Sequence, residues 1–305
     1  MEGQDRTIPA LALTFASRRR AGENRRRKAH LRRVFTMYKS ILVHVDPTAM
    51  ADERLRVAAD LARRAGGRLI AIGAQSPRDV IDPGNGYLDS GTVQALQDAL
   101  TEALDDAERR ARAAAGDLPF VWRGWRAAPV PTMAAEARGA DLVIASPAPR
   151  HVDRTLIASA GDLIMTTGLP VLVVPPGAKT VMSRRAVVGW KNTAQSRAAV
   201  GAALPWLQAA EQVLLLRVTG GDESGAPAEL ADVAERLRLH GVKVETALMR
   251  KSGAVSEDLL QRTRELDADV LVVGAYAHSR ASEWMFGGVT RDLITGASIP
   301  VLFCR

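Results

Sequence analysis

Residues Ala268–Thr290, ADVLVVGAYAHSRASEWMFGGVT, combine the residue types and spacing that could do chemistry. The apolar run Val270–Val273 has the character of a strand buried on both faces, and it ends at Gly274. A polar loop of a dozen residues follows, then Gly287 and Gly288, then Val289 and Thr290 at the start of a helical segment. Strand, loop, paired glycines and helix start make an anion cradle, because backbone N–H groups at a glycine turn and a helix N-terminus point at a negative group. No Gly-Lys-Ser/Thr closes the loop and no Gly-x-Gly-x-x-Gly is present, so neither common phosphate fingerprint applies.

Other reactive side chains are sparse. His278, Ser279, Arg280 and Glu283 lie in the loop, where Arg280 and His278 could meet an anion. Trp190 and Trp284 could stack on a base, although Trp190 ends a central strand and reads better as core. Arg250-Lys251-Ser252-Gly253 precedes a helix and is either a second anion site or, as preferred, an ordinary helix entry. His44, His151, His240 and His278 are scattered, with no pair at the i, i+4 spacing of a helical zinc site and no Ser/His/Asp or Cys/His constellation. An enzyme would rest on the loop alone. The expectation is therefore a binding protein and not an enzyme.

Two series of alternating elements must position these residues. From Met37, strands read at Ile41–Val45, Leu69–Gly73, Phe120–Trp125, Asp141–Ala145 and Pro170–Val174. Helices between them read at Met50–Ala65, Thr92–Ala115, Thr132–Ala137 and Asp162–Thr167, the second with an apolar face of Val93, Leu96, Leu100, Leu104 and Ala107. The series then restarts with strands Ala186–Trp190, Val213–Val218, Val242–Leu248, Asp269–Val273 and Val301–Phe303. Its helices are Ser196–Leu207, Glu229–Leu239, Val255–Leu266 and Val289–Thr295. The series repeat each other: Ala140-Asp141-Leu142-Val143-Ile144 matches Ala268-Asp269-Val270-Leu271-Val272, and Pro170-Val171-Leu172 matches Pro300-Val301-Leu302. Alternation of this kind implies parallel sheets covered by helices on both faces, with ligands beyond the strand ends where strand order reverses.

Length, charge and cysteine content bound the rest. At 305 residues there is room for two domains, expected at 37–178 and 183–305. Residues 1–36 carry ten basic and three acidic residues, which is the whole net charge of +7. The remainder is balanced, so the folded part has no bulk electrostatic case for nucleic acid. The leader is either a basic arm for RNA or a membrane surface or, as favoured, a stretch upstream of a true start at Met37, and it is expected to be disordered. The single cysteine, Cys304, reads as a packing residue; it excludes an internal disulfide and fits a cytoplasmic setting. No apolar run approaches the roughly 20 residues of a membrane span.

The doubled five-strand layout, the strand ends VHVDPT and GWKNT, and GAYAHSRASEWMFGGVTRDLI before a terminal Pro-Val-Leu strand resemble a tandem universal stress protein from Met37 onward. The resemblance implies two Rossmann-like domains of strand order 3-2-1-4-5 and an intramolecular pseudo-dimer, with further homo-oligomers open. In one branch of the family it also implies ATP binding, with Mg2+ alongside, without a dedicated catalytic apparatus. That branch carries Gly-x2-Gly-x9-Gly-Ser/Thr after the fourth strand and an aspartate after the first. Here those positions are Gly274, Ala277, Gly287 and Gly288, the nearest hydroxyl is Thr290, and the aspartate position is Lys191. Ala277 adds a methyl where close phosphate approach favours glycine, and Lys191 cannot accept a hydrogen bond from ribose or an adenine amino group.

The candidate cofactor-binding set is thus Gly274, Ala277, Gly287, Gly288, Val289, Thr290, Lys191, Trp190, Val218 and Arg280. The first unit keeps Asp46, but its loop, Ser146–Gly161, is two residues shorter, lacks internal glycine and carries Pro147 and Pro149, which donate no N–H. It is expected not to bind, with Asp46 serving as a helix cap. Three functions stay open: a stress-response module binding an adenine nucleotide in its second half, with slow incidental ATP hydrolysis at most; a non-nucleotide scaffold for an unknown protein partner; and, last, an adenine-nucleotide hydrolase. The last needs a metal-binding carboxylate, for which only Glu283 is placed.

Overall fold

The computed structural model describes residues 38–76, 89–148, 153–221, 224–275 and 288–305. The leader, and with it the expectation of disorder there, lies outside these residues.

In the first unit the strands are β1 (Ser40–His44), β2 (Arg68–Ala74), β3 (Phe120–Trp125), β4 (Leu142–Ala145) and β5 (Val171–Val173). The helices are α1 (Ala49–Ala65), α2 (Ser90–Ala115), α3 (Pro129–Glu136) and α4 (Ala160–Thr166). The second unit repeats the order with β6 (Arg185–Gly189), α5 (Ala194–Ala209), β7 (Gln212–Thr219), α6 (Ala226–Leu239), β8 (Val244–Arg250), α7 (Val255–Glu265), β9 (Val270–Gly274), α8 (Gly288–Gly296) and β10 (Val301–Cys304).

The strands form one ten-stranded sheet in the order β3-β2-β1-β4-β5-β10-β9-β6-β7-β8. Each half is a parallel 3-2-1-4-5 arrangement, as the family resemblance implied. The halves join through antiparallel pairing of β5 with β10, Val171 opposite Phe303. Strand direction therefore reverses at the junction, and the two strand-end crevices open at opposite ends of the sheet. This seam makes each unit cover an edge strand that the other would otherwise leave unpaired.

Apolar residues fill both faces. One core lies under α1, α2, α5 and α6, with Val43, Leu55, Ala58, Leu142, Val188, Trp206 and Leu302 buried. The other includes Leu42, Met133, Leu163, Val187, Leu259, Leu271, Leu293 and Phe303. Cys304 is buried in the first of these cores, and burial pushes its thiol up to about 12, so it packs as a small apolar residue. Contacts cross the seam above the sheet: the Tyr38 hydroxyl donates to Ala202 O, and its ring meets Trp206 edge-on at 6.0 Å. Arg64 Nη2 donates to Val181 O (2.8 Å), and Gly177 N donates to Glu53 Oε2 (2.8 Å), which straps the connecting segment to α1.

Two expectations are corrected. The apolar face of α2 is buried only at Ala107, Ala111 and Ala115, while Val93 and Leu96 are 39% and 37% exposed. A helix of 26 residues runs about 39 Å, far past the roughly 23 Å of seven-residue β2, so its first turns have no sheet beneath them. The strand expected at Val242–Leu248 starts and ends two residues later, because Val242 N–H closes the end of α6 on Leu237 O instead.

Candidate functional site

Equivalent positions in the two units follow from backbone anchors. Ser40 N donates to Asp141 Oδ2 (2.8 Å) and Arg185 N to Asp269 Oδ2 (2.9 Å), so Ser40 corresponds to Arg185. Counting along the strands pairs His44 with Gly189, Val45 with Trp190 and Asp46 with Lys191, and counting into the next helix pairs Arg54 with Ala199. Val45 N to Ile72 O and Trp190 N to Leu216 O confirm the register.

In the first unit this corner is a closed ionic network. Asp46 is 1% exposed and paired with Arg54, which is itself 6% exposed and also donates to His44 O (3.2 Å). Asp46 Oδ1 accepts from Thr48 N (2.9 Å) and from the Thr48 hydroxyl, and Arg110 Nη2 donates to Asp46 O (2.9 Å). Burial pushes the Asp46 carboxyl up, but Arg54, His44 and the Thr48 bonds outweigh it and hold the group below the usual carboxylate range. Asp46 is therefore not the helix cap expected: Thr48 is the N-cap residue of α1, and Asp46 makes a turn before it and an ion pair behind it.

His44 completes the corner. Its Nε2 lies 3.1 Å from Ala74 O, and a carbonyl only accepts, so the neutral ring carries its proton on Nε2. Nδ1 then presents a lone pair 3.8 Å from Asp46 Oδ2, buried and without a hydrogen-bond partner. Burial pushes His44 down to about 4, with Arg54 assisting and Asp46 opposing.

The loop after β4 finishes the closure. Ser76, just past β2, donates its N–H to Thr155 O (2.8 Å), so residues 153–157 fold across the strand ends. Asp153 holds that fold by accepting from Thr155 N (3.0 Å) and Oγ1 (2.5 Å). The N-terminus of α4 is occupied by its own residues: Ser159 Oγ accepts from Asp162 N (3.2 Å) and donates to Asp162 Oδ2 (2.7 Å).

The second unit differs at each point. Lys191 is exposed and makes no ion pair or hydrogen bond through its side chain among the described residues; Arg54 and His44 are replaced by Ala199 and Gly189. Around Lys191 the polar groups satisfy one another: Asn192 accepts from Arg197 Nη1 (2.8 Å), and Arg217 Nη1 donates to Glu229 (3.1 Å). Thr193 caps α5 by accepting from Ser196 N (3.2 Å). At the β8 end, Lys251 is exposed, and its N–H donates to Thr219 O (2.9 Å).

The other candidates fall as follows. Gly288 and Val289 are exposed at the start of α8, which has no acidic residue in its first turn, and Thr290 is buried one residue further on. Among the described residues, a Cβ on Gly288 would meet nothing within 4 Å, whereas one on Gly274 would lie 2.5 Å from Ser196 N and 2.7 Å from Gln195 C. Gly274 thus needs to be glycine because the start of α5 packs on its backbone. Val218 is half-buried against the core on the α7 face. Trp190 is 6% exposed and packs in the opposite core beside Val200 and Ala203, with its indole Nε1 unpartnered, so its ring is not offered to a base. Ala277, Arg280 and Gly287, like His278, Glu283 and Trp284, lie outside the described residues. Ser252 donates its hydroxyl to buried Asp258 (2.5 Å), and Glu257 turns back toward Ala254 N (3.4 Å), which is the ordinary helix entry preferred from the sequence.

Sequence reading missed Arg54, Arg110 and Thr155. Arg54 had a signal: it shares a helical row with Ala58, Leu61 and Ala65, all buried, and a charge on an apolar row requires a partner.

Comparison with known proteins places this architecture. A universal stress protein from Archaeoglobus fulgidus superposes with a TM-score of 0.67 at 13% identity, covering 89% of this chain and 97% of that one. A Pseudomonas aeruginosa protein described as a universal stress protein gives 0.54 at 17% identity, covering 88% and 94%. At these identities the likeness concerns the fold. No curated protein sequence matches the chain. The model of the universal stress protein family matches residues 37–175 and again 182–305. The chain belongs to the universal stress protein family, twice over.

Proposed function

We infer that the protein is a stress-response module whose second unit binds ATP or a related adenine nucleotide, while its first unit is a closed structural partner. The observation that carries this reading is the contrast at the strand ends. The second crevice presents exposed Lys191 and exposed Lys251, and α8 starts with exposed Gly288 and Val289 and no carboxylate in its first turn. Anions are stabilised at such a helix start and by nearby ammonium groups. Residues of the second crevice would hold the phosphates, with Mg2+ as the nucleotide's own counter-ion.

A second reading is favoured by Gly274, whose lack of a side chain is explained by the backbone of α5 rather than by a ligand. On that reading both crevices have lost nucleotide, and the ten-stranded pseudo-dimer serves as a scaffold for a protein partner.

Calorimetric titration with ATP separates the two. The nucleotide reading expects one site per chain, abolished by Gly288→Asp. That substitution has room for its side chain and places a carboxylate at a helix start, so it fills the anion position without harming the helix. Absence of heat with the parent chain, and of nucleotide released on acid denaturation, supports the scaffold.

A further inference from the structure

The outer strands of the sheet, β3 and β8, present different edges. Backbone hydrogen-bonding groups alternate in direction along a strand. Val213 N donates to Lys243 O (3.0 Å) and Lys251 N to Thr219 O (2.9 Å), so the odd-numbered residues of β8 face β7 and the even-numbered ones face outward. Of the outward groups, Val244 O accepts from Arg238 Nη2 (3.4 Å). The backbone groups of Thr246, Leu248 and Arg250 meet no further strand among the described residues. Leu248 is 48% exposed, and Glu245, Thr246, Arg250 and Lys251 are exposed with it. Glu245 and Lys251 make no ion pair or side-chain hydrogen bond among the described residues.

An open edge invites another strand, and charged side chains along it ordinarily keep strands off. On β8 the charges are spaced so that one pairing satisfies them. When β8 meets a second copy of itself antiparallel, with Leu248 opposite Leu248, Thr246 lies opposite Arg250. The outward backbone groups of all three then exchange hydrogen bonds. The same register sets Glu245 opposite Lys251 at both ends and Ala247 opposite Met249. Sliding by one residue turns outward groups onto inward ones. Sliding by two puts Lys243 opposite Lys251 in one direction and leaves Glu245 opposite Gly253 in the other. The edge of β3 has no such register: its one charged side chain, Arg123, is already paired with Glu136, and Arg112 sits over the Phe120 ring at 5.4 Å.

We propose that the edge of β8 is a self-association surface, on which two copies of the chain pair β8 with β8 antiparallel about a two-fold axis at Leu248. The contact uses the same residues from both copies and therefore closes at a dimer, with one sheet running through both. Lys251 turns from the crevice mouth to the partner, and Lys191 stays at the crevice.

Sedimentation equilibrium on the full chain tests it. The expected result is a reversible dimer, twice the 32.7 kDa of one chain, with a dissociation constant of micromolar order, since the contact is one strand wide. Leu248→Pro removes an outward N–H and no bond to β7, so it is expected to leave the circular dichroism unaltered and the chain monomeric. Glu245→Lys and Lys251→Glu, at exposed positions, each set like charges at both ends and are expected to raise the dissociation constant roughly tenfold. The chain carrying both changes restores opposite charges and is expected to return to within about threefold of the parent. A parent chain that stays monomeric at hundreds of micromolar would overturn the proposal and leave the edge to a strand from another protein. A dimer indifferent to all three single changes, or a double exchange weaker than either single one, would also overturn it and put the contact on another face.

Discussion

The two halves share strand order, register and helix placement, yet they treat the ends of their strands in opposite ways. In the first, Asp46, Arg54, Arg110 and Thr48 saturate one another, and residues 153–157 hydrogen-bond across to Ser76. A buried charge must be paired, so once Asp46 is covered the arginine becomes obligatory and the crevice is committed to the protein's own groups. In the second, removal of the carboxylate also removes the need for the arginine, and Ala199 occupies its row. A repeat freed from self-pairing by its twin can diverge in this manner: the seam between β5 and β10 needs both folds but only the strands, not both crevices.

The largest test of this contrast is Arg54→Ala. It strands Asp46 at 1% exposure and is expected to cost roughly 3–5 kcal/mol in denaturant unfolding. Combining it with Asp46→Asn should recover much of that loss, because the stranded charge goes too. A cost near zero for Arg54→Ala alone would mean the corner is open to water and the first crevice is not closed.

Next in size is Gly274→Ala, whose methyl meets the backbone at Ser196 and Gln195; it is expected to cost about 1–3 kcal/mol. Gly288→Ser, with open space around it, should change stability by less than about 0.5 kcal/mol. It puts the motif's hydroxyl back at its position and should tighten ATP by roughly fivefold, the worth of one added hydrogen bond. Equal destabilisation by the two changes would contradict the packing role assigned to Gly274.

A pH effect of similar size is expected from the first unit. His44 sits near 4 in the fold against 6.5 when free, so between those values the unfolded chain binds the extra proton. Stability from this group is therefore complete above about pH 6.5 and is lost as pH falls toward 4, by something on the order of 2–3 kcal/mol. Asp46, held below its ordinary value, adds a further loss under about pH 4. Thermal unfolding across this range should flatten in His44→Gln, which keeps a donor for Ala74 O. An unchanged slope would assign the acid sensitivity elsewhere.

Much of the fold was legible because parallel strands buried on both faces read as short apolar runs, and because the pattern occurs twice. Ala140–Ile144 against Ala268–Val272 gave the repeat directly, while the strand order followed from the family resemblance. What could not be read was where a helix stops being supported: Val93 and Leu96 continue the periodicity of Leu104 and Ala107, but periodicity carries no information on how far the sheet extends. The start of the last helix at Gly288 was legible, whereas the side-chain pairings of the first unit were not, and the loop before that helix lies outside the described residues. Asp46 looked like a cap because local sequence shows the next helix and hides an arginine two turns into it. Trp190 read better as core from its strand position, and the repeat points the same way, since its counterpart is Val45, a buried apolar position.

Photolabelling with 8-azido-ATP followed by peptide mapping tests most directly whether the two crevices have diverged into one open and one closed. The account predicts saturable labelling confined to peptides of residues 183–305, competed by ATP and lost in Gly288→Asp. Saturable labelling of peptides around Asp46 or Thr155 in the first unit would contradict it.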